Sequence, residues 1–306
     1  MNAPAEKFPN RNEYMGCSEL AAAVGVNPWK TPLDVYLEKT GQVPRTDLSD
    51  NEAVYFGHVL EDVVAQEFSR RQGFKVQRQS AEIVHPRLPF LRGHIDRRIV
   101  GRRAGLECKT AGIRQAQHYG EIGTDEVPTH YLVQCAAYLS ITGWDEWHLA
   151  VLIGGQDFRV YKIPRDEGLI ATLEARAEQF WQAVQDRTPP DASTLAGASL
   201  LWPQDSGATV TATPEQAELV RQLRAHRAAI KATEAVADDI ELEIKKALGE
   251  AATLLSPDGQ PLATWRTQEA RRFSTSAFAE AHPDLYEQFR PTTTSRVFRL
   301  AKEKSK

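Results

Sequence analysis

Gly93-His94-Ile95-Asp96, followed eleven residues after the aspartate by Glu107 in Leu106-Glu107-Cys108-Lys109-Thr110, is the stretch on which the fold turns. Residues i and i+2 of a strand share a face. With both segments as strands, Asp96, Glu107 and Lys109 converge on one centre, while Leu106, Cys108 and Thr110 face the other way and Leu106 and Cys108 suit a core. The intervening Gly101-Arg102-Arg103-Ala104-Gly105 has glycine at both ends and folds the two strands into a hairpin.

Each residue type has its own chemical reason. A hard divalent cation takes oxygen ligands, usually one or two carboxylates plus waters and substrate phosphate, and Asp96 and Glu107 would supply that pair. Lys109 points at the same centre, where it can orient an attacking water or offset charge on a phosphorane-like transition state. Alone, Glu-x-Lys does not decide the matter. Glu243-Ile244-Lys245 has the same pattern inside a helical stretch, where i and i+2 lie about 200° apart. The competing account of Glu107 and Lys109 is an exposed cross-strand ion pair.

Three further segments bear on the choice. Ser18 precedes Glu19-Leu20-Ala21-Ala22-Ala23-Val24, with Gly25 after it, which predicts a short helix with a serine N-cap and a glycine stop. A phosphate at that helix start would meet free backbone N–H groups, whereas the plainer account is a cap alone. A helix from His58 to Arg71 carries Leu60, Val63, Val64 and Phe68 at helical spacing, with Glu61 on the border of that stripe and Asp62 and Glu67 facing solvent. A helix from Thr129 to Thr142 sets Tyr131, Gln134, Ala137 and Tyr138 on one side. The Gln134 amide can donate to a phosphate oxygen while accepting elsewhere, and the tyrosines belong to core or rim.

Taken in order, Arg11, Gly16-Cys17-Ser18-Glu19-Leu20-Ala21-Ala22, Asn27-Pro28-Trp29, Gly57-His58-Val59-Leu60-Glu61, Asp96, Glu107-x-Lys109 and Gln134 resemble the YqaJ-type viral recombinases. These are phage alkaline exonucleases similar to phage lambda exonuclease, within the PD-(D/E)XK nuclease superfamily, and the likeness covers residues 10 to 190. It implies Asp96 and Glu107 as metal ligands, Lys109 as catalytic lysine and Glu61 as the helix-borne acid assisting the metal site. It implies Mg²⁺, with Mn²⁺ substituting, and a terminal 5′-phosphate held by Arg11, Ser18 and Gln134. One position departs from the lambda type, which has a phosphate-touching serine where this chain has His94. The family further implies double-stranded DNA ends as substrate, a single-strand annealing recombinase as partner, and a homo-oligomer, in the relatives a ring.

Net charge of −4 looks wrong for an enzyme of DNA until it is resolved along the chain. Residues 69 to 115 hold twelve Lys and Arg against three acids, a net of +9, which leaves −13 for the remainder. The expectation is a positive field around the carboxylate pair that binds phosphate backbone without reading bases. Three cysteines, Cys17, Cys108 and Cys135, fit a reducing compartment and fall short of the four thiolates of an iron-sulfur cluster; the eight histidines give no zinc spacing. No apolar run approaches a bilayer span and the start Met-Asn-Ala-Pro-Ala-Glu lacks a signal-peptide core, so a cytoplasmic protein without membrane association is expected.

The rest of the chain completes the architecture. Glu146 to Ile153 and Phe158 to Ile163, joined by Gly154-Gly155-Gln156-Asp157, extend the sheet; a helix runs from Arg165 to Gln185, and Thr188-Pro189-Pro190-Asp191 breaks it. The expected fold is α/β: a PD-(D/E)XK nuclease core, with a central mixed sheet flanked by helices, over residues 1–190. A linker spans 191–213. An accessory region at 214–306 holds a long helix from the Thr213-Pro214-Glu215-Gln216 capping box to Gly249, a hairpin about Pro257-Asp258-Gly259, and a strand at Arg296 to Leu300. In the long helix Leu219, Leu223, His226, Ile230, Thr233, Ala237, Ile240, Ile244 and Ala247 alternate in steps of three and four, a stripe that packs on another helix. The chemistry expected is Mg²⁺-dependent exonucleolytic hydrolysis of linear duplex DNA; an endonuclease of the same superfamily and a DNA-binding module without catalysis remain as alternatives.

Overall fold

The computed structural model describes residues 11–292 and 294–302, so the expectation at Met1 to Glu6 lies outside the described residues. The chain forms two compact units, divided between Leu201 and Trp202. In the first, β1 (Met15–Gly16), α1 (Cys17–Ala23), α2 (Pro32–Lys39) and α3 (Glu52–Gln72) precede five strands: β2 (Val76–Arg78), β3 (Ile83–Val84), β4 (Leu91–Gly93), β5 (Arg97–Ile99) and β6 (Ala104–Ala111). Then come α4 (Thr129–Thr142), β7 (Glu146–Ile153), β8 (Asp157–Pro164), α5 (Glu167–Gln185) and α6 (Leu195–Leu201).

The architecture is mixed α/β, as expected. One sheet runs β2-β5-β6-β7-β8, with β6 and β7 parallel and the other neighbours antiparallel; a smaller one runs β1-β4-β3. Alternation along β6 sends its two kinds of side chain to opposite faces. Leu106 and Cys108 pack with Ile99, Ala150 and Val160 against Val64, Ala65 and Phe68 of α3. The other face of the sheet, through Leu149, Val151 and Tyr161, joins the larger core with α1, α4 and α5.

The key connection differs from expectation. β4 ends at Gly93 and β5 begins at Arg97, and they belong to different sheets, so His94-Ile95-Asp96 is a crossover between sheets and not a strand. Ile95, buried, anchors the crossover and leaves Asp96 at the mouth of the β5–β6 hairpin. That hairpin forms, pairing Arg97 with Leu106 and Arg98 with Gly105. Its two glycines have different work: Gly101 takes the left-handed turn conformation at φ 78°, whereas Gly105 lies within β6, where a Cβ would meet the Trp147 ring at 2.3 Å.

Helix ends carry the other corrections. α1 starts at Cys17 with Gly16 as N-cap; the Glu19 carboxylate accepts from Gly16 N at 2.8 Å, so Ser18 lies inside the helix and is not its cap. α3 starts six residues earlier than read, because Asn51 accepts from Ala53 N and Val54 N, and Val63 points to solvent while Ala65 takes its place in the packed stripe. α4 has the expected bounds, and α5 starts after Asp166, which caps it. Within the expected linker, α6 forms because Gly197 fits against Leu33 and because Ala192 and Leu201 lie on the core.

The second unit contains α7 (Pro214–Leu248), capped reciprocally by Thr213 and Gln216, and the hairpin of β9 (Thr253–Leu255) with β10 (Pro261–Thr264). Two helices not foreseen follow, α8 (Thr275–Ala281) and α9 (Pro283–Gln288). Arg296 to Leu300 forms no strand. It is held by side chains instead: Arg224 Nη2 donates to the Ala301 carbonyl at 2.9 Å, and the Arg227 guanidinium lies 6.0 Å from the Phe298 ring centre. No helix among the described residues is long and apolar enough to cross a membrane.

Candidate active site

Because β6 is central in its sheet, Glu107 is only 2 % exposed, a place where carboxylates are rare unless partnered. Its Oε1 accepts from Lys109 Nζ at 2.5 Å and from Gln134 Nε2 at 2.7 Å. Its Oε2 is buried and has no hydrogen-bond partner among the described residues. A buried acceptor left open is costly, and it has the chemistry of a cation ligand.

Asp96 reaches the same place from the crossover. Its Oδ2 accepts from Cys108 N at 2.8 Å, which pins it to β6 beside Glu107. Burial first, and the Glu107 charge second, push its carboxyl up to about 8, against the opposing pull of Lys109 and the Cys108 N–H. Burial alone would lower the Lys109 ammonium, but the Glu107 and Asp96 charges outweigh it and hold the group above the ordinary lysine range. The Tyr131 ring centre lies 5.2 Å from Lys109 Nζ. Thus Asp96, Glu107 and Lys109 do come together, although Asp96 arrives by a crossover.

Gln134 lies in this cluster, on Glu107. Its Nε2 also donates to Tyr138 Oη at 2.9 Å, so both amide hydrogens are engaged, one on the carboxylate and one on the tyrosine. In this arrangement the amide fixes Glu107 and has no hydrogen left for a phosphate. Burial raises the Tyr138 phenol far above its usual range, so that oxygen stays protonated.

The other expected residues sit around this centre. Arg11 Nη1 and Ser18 Oγ lie 3.5 and 3.7 Å from where a Cβ on Gly16 would be, which puts the two side chains together beside the start of α1. Behind them Lys39, buried, donates to Glu19 Oε2 at 2.8 Å and to the carbonyls of Arg11 and Tyr14 at 2.6 and 2.7 Å. His94 is half-buried in the crossover, two residues before Asp96. Glu61 is on α3, but its carboxylate accepts from Arg97 Nη1 at 2.5 Å, and the same nitrogen donates to the Asp96 carbonyl at 2.6 Å.

Arg97 is the residue that sequence reasoning missed. It is 4 % exposed and links Glu61, Asp62 and the Asp96 backbone, so Asp62 belongs to an ion network and is not simply solvated. Its signal was available: an arginine directly after the aspartate and inward-facing in a short strand must be paired.

The positive field also needs correction. Arg78 and Arg97 pair with Asp62, Arg87 with Glu174, Arg102 with Glu146, Arg103 with Asp145, and Arg70 and Arg71 with Glu67. Acids from outside the basic segment therefore neutralise much of its excess.

The donor set fits a hard divalent cation. No group of three or more His, Cys, Asp or Glu that could hold a metal occurs among the described residues. Two carboxylates, one with an open buried oxygen, match the protein share of a hard divalent-cation site completed by water and phosphate.

Residues 8–145 match the family description of a YqaJ-like viral recombinase domain. An uncharacterised YqaJ protein of Bacillus subtilis strain 168 is 33% identical over 296 residues, covering 94% of this chain and 91% of that protein. Among solved structures, the alkaline exonuclease LHK-Exo of Laribacter hongkongensis aligns with 60% of this chain and 94% of its own, at 16% identity and a TM-score of 0.49. A phage-related exonuclease of Haemophilus somnus 129PT aligns with 57% of this chain and 94% of its own, at 13% identity and a TM-score of 0.46.

Proposed function

The chain belongs to the YqaJ-like viral recombinase family, and on that premise we propose that it is a Mg²⁺-dependent exonuclease, with Mn²⁺ able to substitute. Its substrate is linear double-stranded DNA, one strand of which it degrades from the 5′ end, leaving 3′ single strands for an annealing recombinase. The observation that carries this is Glu107: one oxygen held by Lys109 and Gln134, the other buried and open, with Asp96 pinned alongside.

Asp96 and Glu107 would hold the cation, which when bound supplies Lewis-acid polarisation of the phosphate and a more acidic water. The chain's own residues do the rest. Lys109 carries its charge into the same space and offsets negative charge developing on the phosphate. Gln134 keeps Glu107 in one rotamer. Arg97 fixes the Asp96 backbone, and Glu61 acts on the site through it. Arg11 and Ser18, side by side, take the terminal 5′-phosphate, and His94 supplies the contact on the crossover side. The working form is a cytoplasmic homo-oligomer, ring-shaped as in the lambda type.

The test is digestion of end-labelled linear duplex with Mg²⁺, comparing 5′-phosphate with 5′-hydroxyl ends. Wild type releases nucleotides from the 5′ end, faster from the phosphorylated one, and Lys109→Ala is slower by on the order of 10²- to 10³-fold. Undiminished activity in that variant overturns the role of Lys109. Cutting of covalently closed circles points to an endonuclease. Salt-sensitive binding with no Mg²⁺-dependent cleavage points to a binding module.

A further inference from the structure

Of the 35 residues in α7, Leu248 alone is buried. Its apolar positions Leu219, Leu223, Ile230, Ile240 and Ile244 nevertheless fall, with His226, Thr233 and Ala237 between them, on the three-and-four spacing of a heptad seam. Leu219, Ile230 and Ile240 are 63%, 57% and 58% exposed. Near its C-terminal end the seam borders an apolar groove formed by Ile240, Ile244, Ala247 and the hairpin residue Leu254.

Charge says what covers the seam. The helix is divided into blocks of alternating sign: Glu215 and Glu218; then Arg221, Arg224, Arg227 and Lys231 with no acid among them; then Glu234, Asp238, Asp239, Glu241 and Glu243 with no base; then Lys245 and Lys246. At block edges some charges pair within the helix, Arg221 with Glu218 and Lys245 with Glu241. A parallel copy would set every block against its like. An antiparallel copy sets every block against its opposite.

Sequence spacing also fixes the register. With a twofold axis between Lys231 and Ala232, Leu219 meets the partner's Ile244, Leu223 the partner's Ile240, and Ile230 the partner's Thr233. The same register brings Glu218 opposite the partner's Lys245 and Arg224 opposite the partner's Asp239. We infer that α7 is a self-recognition element that joins two copies of this chain as an antiparallel helix pair. The tail contacts Arg224 through the Ala301 carbonyl and Arg227 through the Phe298 ring, while Leu219 and Ile230 remain more than half exposed.

The experiment uses the full chain and does not depend on nuclease activity. Light scattering at micromolar concentration gives a mass of two chains or a multiple of two for wild type, and half that for Ile230→Asp/Ile240→Asp. Oxidised Leu219→Cys/Ile244→Cys cross-links between chains, because about 37 Å of helix prevents an internal bridge, and neither single variant links to itself. Reversing Arg224, Arg227 and Lys231 to Glu abolishes self-association, as does reversing Glu234, Asp238 and Asp239 to Lys; mixing the two variants restores pairing at least tenfold over either alone. A monomeric wild type, an assembly indifferent to the aspartates, self-linking Leu219→Cys, or no recovery on mixing overturns the inference.

Discussion

Glu107, 2 % exposed, and Ile240, 58 % exposed, are both on the wrong side of the usual distribution of residue types. One is a carboxylate inside the sheet of the first unit, the other an aliphatic side chain on the bare helix of the second. In the first unit Lys109, Gln134 and the Cys108 N–H satisfy the acidic pair only in part. In the second, Leu219, Ile230 and Ile240 of the stripe stay more than half exposed. The comparison teaches that residues out of place are informative when their chemistry states what would partner them: a hard cation would suit two carboxylates, and a reversed copy would suit alternating charge blocks.

Asp96→Asn should give the largest effect and separates function from stability. Cleavage falls by on the order of 10³-fold, while the metal-free thermal midpoint, measured above the Asp96 value of about 8 where its carboxylate is charged, rises, because asparagine still accepts from Cys108 N and removes a like charge from beside Glu107. A lower midpoint would break the claim that the pair is frustrated without a cation.

Glu19→Gln probes buried charge that is already satisfied. Burial opposes the Glu19 charge, yet Lys39 and the Gly16 N–H hold its carboxyl below the ordinary range. Its contribution is therefore present above the unfolded value and lost as pH falls through the lower folded value. Urea titration should show a loss of about 3 kcal/mol at neutral pH, closing in acid. Gly105→Ala, which sets a Cβ against Trp147, should cost about 1–3 kcal/mol by the same measurement. Arg290→Ala removes an exposed pair with Glu287 and should leave the thermal midpoint unchanged.

Much of this was legible because it is local. Gly101 marked the hairpin, the period of Tyr131, Gln134 and Tyr138 gave α4 its bounds, and Thr213 to Gln216 announced α7. The readings that failed depend on groups distant in sequence or on ambiguous caps. Asp96 sits in a crossover because β4 pairs with β1 and β3, which the residues 93 to 96 do not reveal. Ser18 looked like a cap because serine usually is one, but Glu19 caps from inside the helix. The +9 segment looked like an open field because its acidic partners, such as Glu174 and Asp145, lie far along the chain. Ser274 and Pro283 carried cap signals for α8 and α9 that passed unread.

The most direct measurement follows a uniformly labelled linear duplex and a covalently closed circle of the same sequence through digestion with Mg²⁺ and with chelator, for wild type and Asp96→Asn. The account predicts that wild type with Mg²⁺ consumes the linear molecule and spares the circle, with chelator or Asp96→Asn abolishing the loss. Equal cleavage in chelator, or an Asp96→Asn protein as active as wild type, would contradict it.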